Sequence, residues 1–213
     1  MGQVAYIVTN DVYQDEKIKD GLIEESSNAS EIVLLKKIVS HDRDAFHTVF
    51  SNYYPRLQRF ISRLTKNNEL IEEIINDVMF VIWQKAGDFK NRSRVSTWIF
   101  GIAYNTTLKS LAKQNRHKST AADDIPEEVD PATPYTKLAQ EQQLQQIQNS
   151  LEQLSIEHQT VVVLTYIYGY SYIEISEVMS CPVNTVKTRM FHARKNLQSL
   201  LPDFEDVQVM ETI

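Results

Sequence analysis

A segment near the carboxyl end of the chain, residues 169–201, has the clearest chemical pattern in this sequence. It contains no Asp or Glu between Val178 and Leu201, and one face of its second half carries seven cationic or hydrogen-bonding side chains. Side chains of these types bind phosphates and the edges of bases. The segment therefore predicts a nucleic-acid contact. The side chains of this face are Thr185, Lys187, Thr188, Arg189, His192, Arg194 and Lys195.

Two helices joined by a tight turn must position this face. Ser171 and Glu174 have the capping-box spacing, which predicts that the first helix begins at Tyr172. The run from Ser180 to Pro182 ends this helix, because a proline disfavours helical geometry in the residue before it. The second helix is predicted to begin near Pro182 to Asn184. Its apolar positions, which recur every three or four residues and predict one buried face, are Val186, Met190, Ala193, Leu197 and Leu200.

This arrangement is typical of a helix-turn-helix, in which the first residues of the second helix read the major groove. The pattern alone also fits an ordinary helical hairpin with a solvated basic face. The rest of the chain has to distinguish these two interpretations.

A second basic block spans the middle of the chain, at residues 84–118. It holds eight Lys or Arg residues against the single acid Asp88, and aromatic residues are interleaved with the cations. A site that binds single-stranded nucleic acid needs cations along the phosphate backbone and aromatic rings on which the bases stack. Trp98 and Phe100 fit a helical core equally well. The interleaved residues are Phe89, Arg92, Arg94, Trp98, Phe100, Tyr104, Lys109, Lys113, Arg116 and Lys118.

Helical periodicity continues through most of the chain and predicts an all-α protein of two helical bundles joined by a flexible acidic linker. In the first bundle a helix follows Ser30, a second begins at Ala45, and Pro55 opens a third. Asn68 is the predicted cap of a fourth helix, which ends at Gly87. A long fifth helix is predicted after the cap candidates Ser96 and Thr97.

Changes in composition divide the chain into five parts. We expect an amino-terminal extension at 1–28, a first helical domain at 29–118, a proline-rich acidic linker at 119–137, a helix-turn-helix domain at 138–202 and an acidic tail at 203–213. In the carboxyl-terminal domain, a glutamine-rich helix is followed by one that Ser155 caps.

The overall composition limits the classes of function. A net charge of −6 means that any DNA contact must come from local patches. The lone cysteine, Cys181, fits a reducing compartment, and without a signal peptide or a membrane-spanning run of roughly 20 apolar residues we expect a cytoplasmic protein with no membrane insertion. The histidines are scattered, and neither metal-ligand spacing nor a glycine-rich phosphate loop occurs. We therefore expect no enzyme activity, no catalytic residue, no metal and no cofactor.

Two blocks of the sequence resemble the extracytoplasmic-function group of bacterial RNA polymerase sigma factors, members of the sigma-70 family. The first block, IEEIINDVMFVIWQK followed by TWIFGIAYNTTLKSLAKQ, is similar to sigma region two. The second, LSIEHQTVVVLTYIYGYSYIEISEVMSCPVNTVKTRMFHARKNLQSLL, is similar to region four. The resemblance covers about residues 32–202, with an unmatched linker between the blocks. A helix-turn-helix alone occurs in many regulators, but both regions in this order are specific.

The resemblance implies three groups of functional residues. The helix that family members dock onto the clamp of the polymerase's largest subunit carries Glu73, Asp77, Val78 and Trp83. The family's reader of the upstream, minus-thirty-five element corresponds to Asn184, Thr185, Lys187, Thr188 and Arg189, with Arg194 as a phosphate contact. In the family, the loop that corresponds to Phe89 to Arg94, together with Asn105, receives a flipped base of the melted minus-ten element. The predicted contacts with this element are Phe89, Lys90, Asn91, Arg92, Arg94, Trp98, Tyr104, Asn105, Lys109 and Arg116.

These residues lead to the hypothesis of a sigma factor that directs promoter recognition, promoter melting and transcription initiation. The implied partners are core RNA polymerase, through its clamp and the flap of the second-largest subunit, promoter DNA in duplex and melted form, and an anti-sigma factor. The alternative is a stand-alone helix-turn-helix regulator whose amino-terminal bundle senses a ligand or dimerises. Gly101 replaces a basic residue of many family members, while Cys181 and Asn184 depart from the family's usual turn residues.

Overall fold

The computed structural model describes residues 21–118 and 146–200, and every regular element within these ranges is helical. The all-α prediction is therefore confirmed for this part of the chain. The predicted linker, the acidic tail and most of the amino-terminal extension lie outside the described residues.

Four long helices form the first domain. They are α1 (Gly21–Val39), α2 (Arg43–Ile61), α3 (Asn68–Lys85) and α4 (Val95–Lys118), and a 3-10 turn at Ala86–Asp88 follows α3. Helix α1 begins before the predicted boundary at residue 28, so the end of the predicted extension is part of this bundle. One broad side of helix α3 is buried, and its buried residues are Leu70, Ile71, Ile74, Ile75, Val78, Met79 and Ile82.

Pro55 does not open a new helix, which corrects the sequence-based expectation. It lies inside α2, whose buried positions Val49, Tyr53 and Leu57 stay in phase across it. A proline inside a helix leaves the carbonyl four residues earlier, here that of Ser51, without its helical partner. Ser51 and Pro55 are both exposed, so water can satisfy that carbonyl, and burial of the continuous apolar stripe favours one unbroken helix.

Three predicted helix ends also differ from the structure. The side chain of Asn67, rather than Asn68, caps α3 by accepting the amide N–H of Leu70 at 3.0 Å. The helix ends before Gly87, which lies in the 3-10 turn. Neither Ser96 nor Thr97 caps α4, because the N–H of Val95 donates to Asn28 Oδ1 of α1 at 2.9 Å. This cap comes from a residue 67 positions away, so local spacing could not reveal it.

The carboxyl-terminal domain contains α5 (146–152), α6 (Ile156–Tyr166), α7 (Tyr172–Val178) and α8 (Val183–Leu200). The predicted cap of α6 by Ser155 and the start of α7 at Tyr172 are confirmed. The Ser171–Glu174 capping box is present, with the Ser171 N–H donating to Glu174 Oε2 at 2.9 Å and the Glu174 N–H donating to Ser171 Oγ at 3.3 Å. Helices α7 and α8 and the turn at Ser180 form the predicted helix-turn-helix.

The two domains pack directly against each other. Helix α7 lies along α4, and the aromatic rings of Tyr168 and Phe100 meet with their centroids 4.7 Å apart. Phe100 is fully buried, as are Phe60 of α2 and Val178 of α7. The arrangement places the helix-turn-helix against the basic face of the first domain.

The capping box allows a test of how firmly α7 is held. We expect Ser171→Ala to lower the free energy of unfolding by about 1 kcal/mol, because it removes the side-chain acceptor for the Glu174 N–H. Urea denaturation followed by circular dichroism measures this change. Ser199→Ala, in the last turn of α8, removes a serine that caps no helix start and should be nearly neutral. Equal effects of the two substitutions would contradict a stabilising role of the capping box.

Candidate nucleic-acid interface

The outward face of α8 presents most of the residues predicted to read duplex DNA. Val186, Met190 and Ala193 are buried against the rest of the domain, so the opposite side of the helix faces solvent. Thr188 Oγ1 donates to the carbonyl oxygen of Asn184 at 2.9 Å, which ties this hydroxyl to its own helix. Asn184, Lys187 and Thr188 are exposed, while Thr185, Arg189 and Arg194 are half-buried.

The two arginines of α8 are oriented by other side chains. Arg189 Nη1 lies 3.5 Å from Cys181 Sγ in the turn, so the guanidinium leans towards the start of the helix. Arg194 lies against Tyr166 of α6; burial raises the pKa of this tyrosine, and the Arg194 charge opposes the shift. Arg194 is therefore part of the packing between α6 and α8 as well as a candidate phosphate contact.

The loop between the 3-10 turn and α4 gathers the predicted single-strand contacts. Asn91 has a φ of 55°, in the left-handed region that asparagine tolerates better than most residues. The rings of Phe89 and Trp98 lie 5.5 Å apart at 51° and are half-buried. Lys90, Asn91, Arg92 and Arg94 are exposed on this loop. The loop therefore presents cations beside an aromatic pair.

A cavity of about 420 Å³ opens beside this loop. Trp98, Asn105 and Lys109 line it along α4, and Glu177 and Ser180 of the helix-turn-helix line its other side. The Asn105 side chain is exposed and its Nδ2 donates to the carbonyl of Gly101 at 2.9 Å. The structure thus brings together three of the predicted minus-ten residues, which are 11 positions apart or fewer, on one face of α4. Arg116 is exposed further along the same helix.

Tyr104 is the predicted minus-ten residue that this arrangement hides. Only 3% of it is exposed, so its ring cannot stack on a base while the domains are packed together. Burial raises the pKa of its hydroxyl, and the nearby charge of Arg189 lowers it. The core interpretation is likewise correct for Phe100, which is fully buried, whereas Trp98 keeps part of its surface. Sequence spacing cannot show which aromatic a second domain covers.

The outer face of α3 presents only some of the residues that were predicted to contact polymerase. Glu73 and Asp77 are exposed, but Val78 is 0% exposed and lies in the core, so it cannot touch a partner directly. Trp83 is half-buried, with its ring 5.1 Å from that of Phe46. Sequence reasoning missed Phe80, which is 58% exposed. Its position seven residues after Glu73 and three after Asp77 places it on the same face, and this spacing was the available signal.

Residues 21–118 and 146–200 contain no helix of the length and apolarity needed to cross a membrane.

Two family models match this chain. Residues 49–117 match sigma-70 region 2, and residues 144–197 match sigma-70 region 4. The first match spans α4 and the candidate single-strand site, and the second spans the helix-turn-helix.

Curated relatives match most of the chain at low identity. The ECF RNA polymerase sigma-E factor of Haemophilus influenzae is 25% identical over 177 residues, covering 78% of this chain and 92% of that protein. The ECF RNA polymerase sigma factor SigM of Mycobacterium tuberculosis (Erdman) is 28% identical over 177 residues, covering 83% of this chain and 86% of that protein. The ECF RNA polymerase sigma factor SigW of Bacillus subtilis is 27% identical over 178 residues, covering 79% of this chain and 95% of that protein.

Two solved structures share the fold. CnrH, in complex with the cytosolic domain of CnrY, aligns with a TM-score of 0.58 at 20% identity, covering 81% of this chain and 97% of that one. The sigma factor RpoE of Bartonella quintana, in complex with the anti-sigma factor NepR, aligns with a TM-score of 0.59 at 24% identity, covering 74% and 96%.

Proposed function

The chain belongs to the extracytoplasmic-function group of the sigma-70 family, and we propose that its two helical domains read two different parts of a promoter. As a sigma factor it binds core RNA polymerase and directs promoter recognition. Sigma factors are initiation factors rather than enzymes, so polymerase supplies the chemistry of RNA synthesis. The observation that carries the proposal is the presence, in one chain, of an exposed acid-free recognition helix and a separate cavity lined by Trp98, Asn105 and Lys109.

Helix α8 is the proposed reader of the upstream promoter element. Lys187 and Thr188 are exposed near its amino-terminal end, where a recognition helix approaches base edges in the major groove. Lys195, two turns later, is exposed where the helix would leave the groove and meet phosphates.

The cavity beside α4 is the proposed capture site for a base of the melted minus-ten element. Trp98 supplies a ring for stacking, Asn105 supplies an amide that can read a base edge, and Lys109 supplies a charge for the phosphate backbone. Extruding a base costs only a few kcal/mol, which stacking and hydrogen bonding in such a cavity can offset. Capture of the extruded base would stabilise promoter melting.

The exposed stripe of α3, which consists of Glu73, Asp77 and Phe80, is the proposed contact with the clamp of the polymerase's largest subunit. Two carboxylates beside one large apolar side chain fit a basic surface with an apolar recess. We further propose that the carboxyl-terminal domain contacts the flap of the second-largest subunit. Holding both domains on one enzyme fixes the spacing of the two promoter readers.

An anti-sigma factor is a further proposed partner. The RpoE chain that shares this fold was solved in complex with the anti-sigma factor NepR. Such a partner would control when the sigma factor reaches polymerase.

Transcription in vitro with purified core polymerase tests the proposed function. A library of genomic fragments should yield discrete start sites only when the protein is added, and these transcripts identify its promoters. Absence of protein-dependent starts from every fragment would overturn the sigma assignment. Tight, sequence-specific duplex binding by the protein without polymerase would instead favour a stand-alone regulator, and electrophoretic mobility shifts measure it.

The capture site makes a prediction about promoter melting. We expect Trp98→Ala to reduce open-complex formation about ten- to a hundredfold, because stacking of one base contributes about 1 to 3 kcal/mol. Asn105→Ala should reduce open-complex formation less, because the Trp98 ring, on which the base stacks, remains. The reactivity of melted thymines with permanganate at an identified promoter measures open-complex formation.

Asn115→Ala is the matched control for the asparagine substitution. Asn115 is exposed on the same helix but does not line the cavity. Open-complex formation that is equally reduced by Asn105→Ala and Asn115→Ala would argue against a base-reading role for Asn105.

A further inference from the structure

A second acid-free stretch lies in the first domain, apart from both proposed promoter readers. The chain holds no Asp or Glu between Asp44 and Glu69, a span that covers most of α2 and the turn after it. The proposed DNA contacts lie on α4, on α8 and on the loop before α4, and the proposed polymerase contact lies on α3. The cations of this second stretch therefore take no part in the proposed function. They are Arg56, Arg59, Arg63 and Lys66.

Three of these cations line one cavity at the end of α2, the α2 cavity. Arg59, Arg63 and Lys66 lie around a volume of about 280 Å³ between the end of α2 and the start of α3. No carboxylate is among the described residues that line it. Guanidinium and ammonium groups beside neutral hydrogen-bonding side chains are well suited to holding an anion. The other lining residues are Ser62, Thr65, Asn68, Ile71 and Gln148.

The two arginines of the α2 cavity are available to a ligand. Within residues 21–118 and 146–200, no carboxylate forms an ion pair with Arg59 or Arg63. Arg59 is exposed and Arg63 is half-buried. Lys66 Nζ lies 2.7 Å from Glu152 Oε1, yet 68% of the Lys66 side chain stays exposed. A phosphate that enters the cavity can therefore bind both guanidiniums without first breaking an ion pair.

The backbone carbonyls around the α2 cavity do not cancel its positive charge. Ser62 Oγ donates to the carbonyl oxygen of Arg59 at 3.0 Å, and the buried Gln159 side chain donates to the carbonyl oxygen of Arg63. Burial raises the pKa of Tyr168 to about 12, and the charges of Arg59 and Arg63 oppose this shift. The two guanidiniums thus act together on this part of the surface.

We propose that the α2 cavity binds a small phosphorylated molecule through two linked phosphate groups, one held by Arg59 and one by Arg63. The cavity is smaller than the roughly 300 to 1,000 Å³ of a site that encloses a whole ligand, so the rest of the molecule stays in solvent. A single-stranded nucleic acid would need aromatic rings for its bases, and no aromatic side chain is among the described residues that line this cavity. The site is separate from both promoter readers and does not rest on the proposed function.

Titration calorimetry of the full chain with inorganic pyrophosphate tests this proposal. Buffer without divalent cations and a constant ionic strength keep the charge of the probe and the screening the same throughout. We expect saturable binding of one pyrophosphate per chain. Inorganic phosphate should bind about tenfold more weakly or worse, because a single phosphate cannot occupy both guanidiniums fully.

Glutamine substitutions locate the pyrophosphate on the protein. Arg59→Gln and Arg63→Gln should each lower the affinity for pyrophosphate about tenfold or more, because each removes charge-assisted hydrogen bonds. Arg43→Gln is the matched control, since Arg43 is exposed on the same helix but does not line the cavity. Its affinity should stay within about twofold of the wild type, because exposed distant charges are screened by salt. Arg59 is exposed, so its substitution carries little risk to folding.

Three results would overturn the proposal. The first is an absence of saturable pyrophosphate binding by the wild type. The second is an equal loss of affinity in Arg43→Gln and Arg59→Gln, which would show that net charge alone attracts the anion. The third is weaker binding of a fluorescein-labelled, mixed-sequence single-stranded DNA by Arg59→Gln with unchanged pyrophosphate affinity, which would make the cavity a nucleic-acid contact. None of these measurements needs core polymerase or a promoter, so they are independent of the transcription test of the proposed function.

Discussion

Replacing Asp77 by lysine is expected to weaken the binding of core RNA polymerase about thirtyfold or more, equivalent to about 2 kcal/mol. Asp77 is exposed on α3 between Glu73 and Phe80, where it can pair with a basic partner surface. A lysine there replaces attraction by repulsion. Phe80→Ala should have a comparable effect, because large apolar side chains at the centre of an interface contribute most of its affinity.

Fluorescence anisotropy of the labelled protein, titrated with core polymerase, measures this affinity. Glu72→Lys is the matched control, because it makes the same change of charge on the same helix. Glu72 points elsewhere, accepting a hydrogen bond from the Tyr54 hydroxyl at 2.7 Å. If Asp77→Lys and Glu72→Lys bind polymerase equally well, the stripe of α3 is not the docking surface. Promoter-dependent transcription should fall in parallel with polymerase binding.

The second large effect is expected on promoter choice. Combining Lys187→Ala with Arg189→Ala should reduce transcription from identified promoters about a hundredfold while leaving polymerase binding unchanged. Loss of a specific base contact costs about 1 to 3 kcal/mol, and loss of a phosphate contact reduces the salt dependence of binding. The substitutions lie outside the α8 core of Val186, Met190 and Ala193, so the fold is retained.

Transcription from two promoters with different upstream elements, compared at several salt concentrations, measures this effect. Lys195→Ala removes one lysine further along the same helix and should weaken both promoters slightly and equally. A double variant that still distinguishes the two promoters as the wild type does would show that α8 is not the upstream reader.

Local chemistry was sufficient to predict several elements of the fold. The capping box at Ser171 places the start of α7 correctly, because both hydrogen bonds join residues three positions apart. Helix α8 follows equally from its repeated apolar positions. Such signals depend on neighbours in the chain, and a single sequence contains them in full.

Long-range contacts explain the predictions that were wrong. The cap of α4 comes from Asn28 on α1, and the continuity of α2 across Pro55 depends on burial against other helices. The core position of Val78 depends on which sides of α3 its neighbours cover. None of these outcomes can be read from spacing within one helix.

The sequence by itself determined the all-α class, the helix-turn-helix, the acid-free face of α8 and the resemblance to sigma regions two and four. Only the tertiary structure decided that Tyr104 is hidden, that Arg94 pairs with Glu174 and that Glu177 shares a cavity with Trp98. The physical reason is that helix formation and capping act over three or four residues. Packing joins residues that are about 80 positions apart in the chain, and their burial depends on the whole fold.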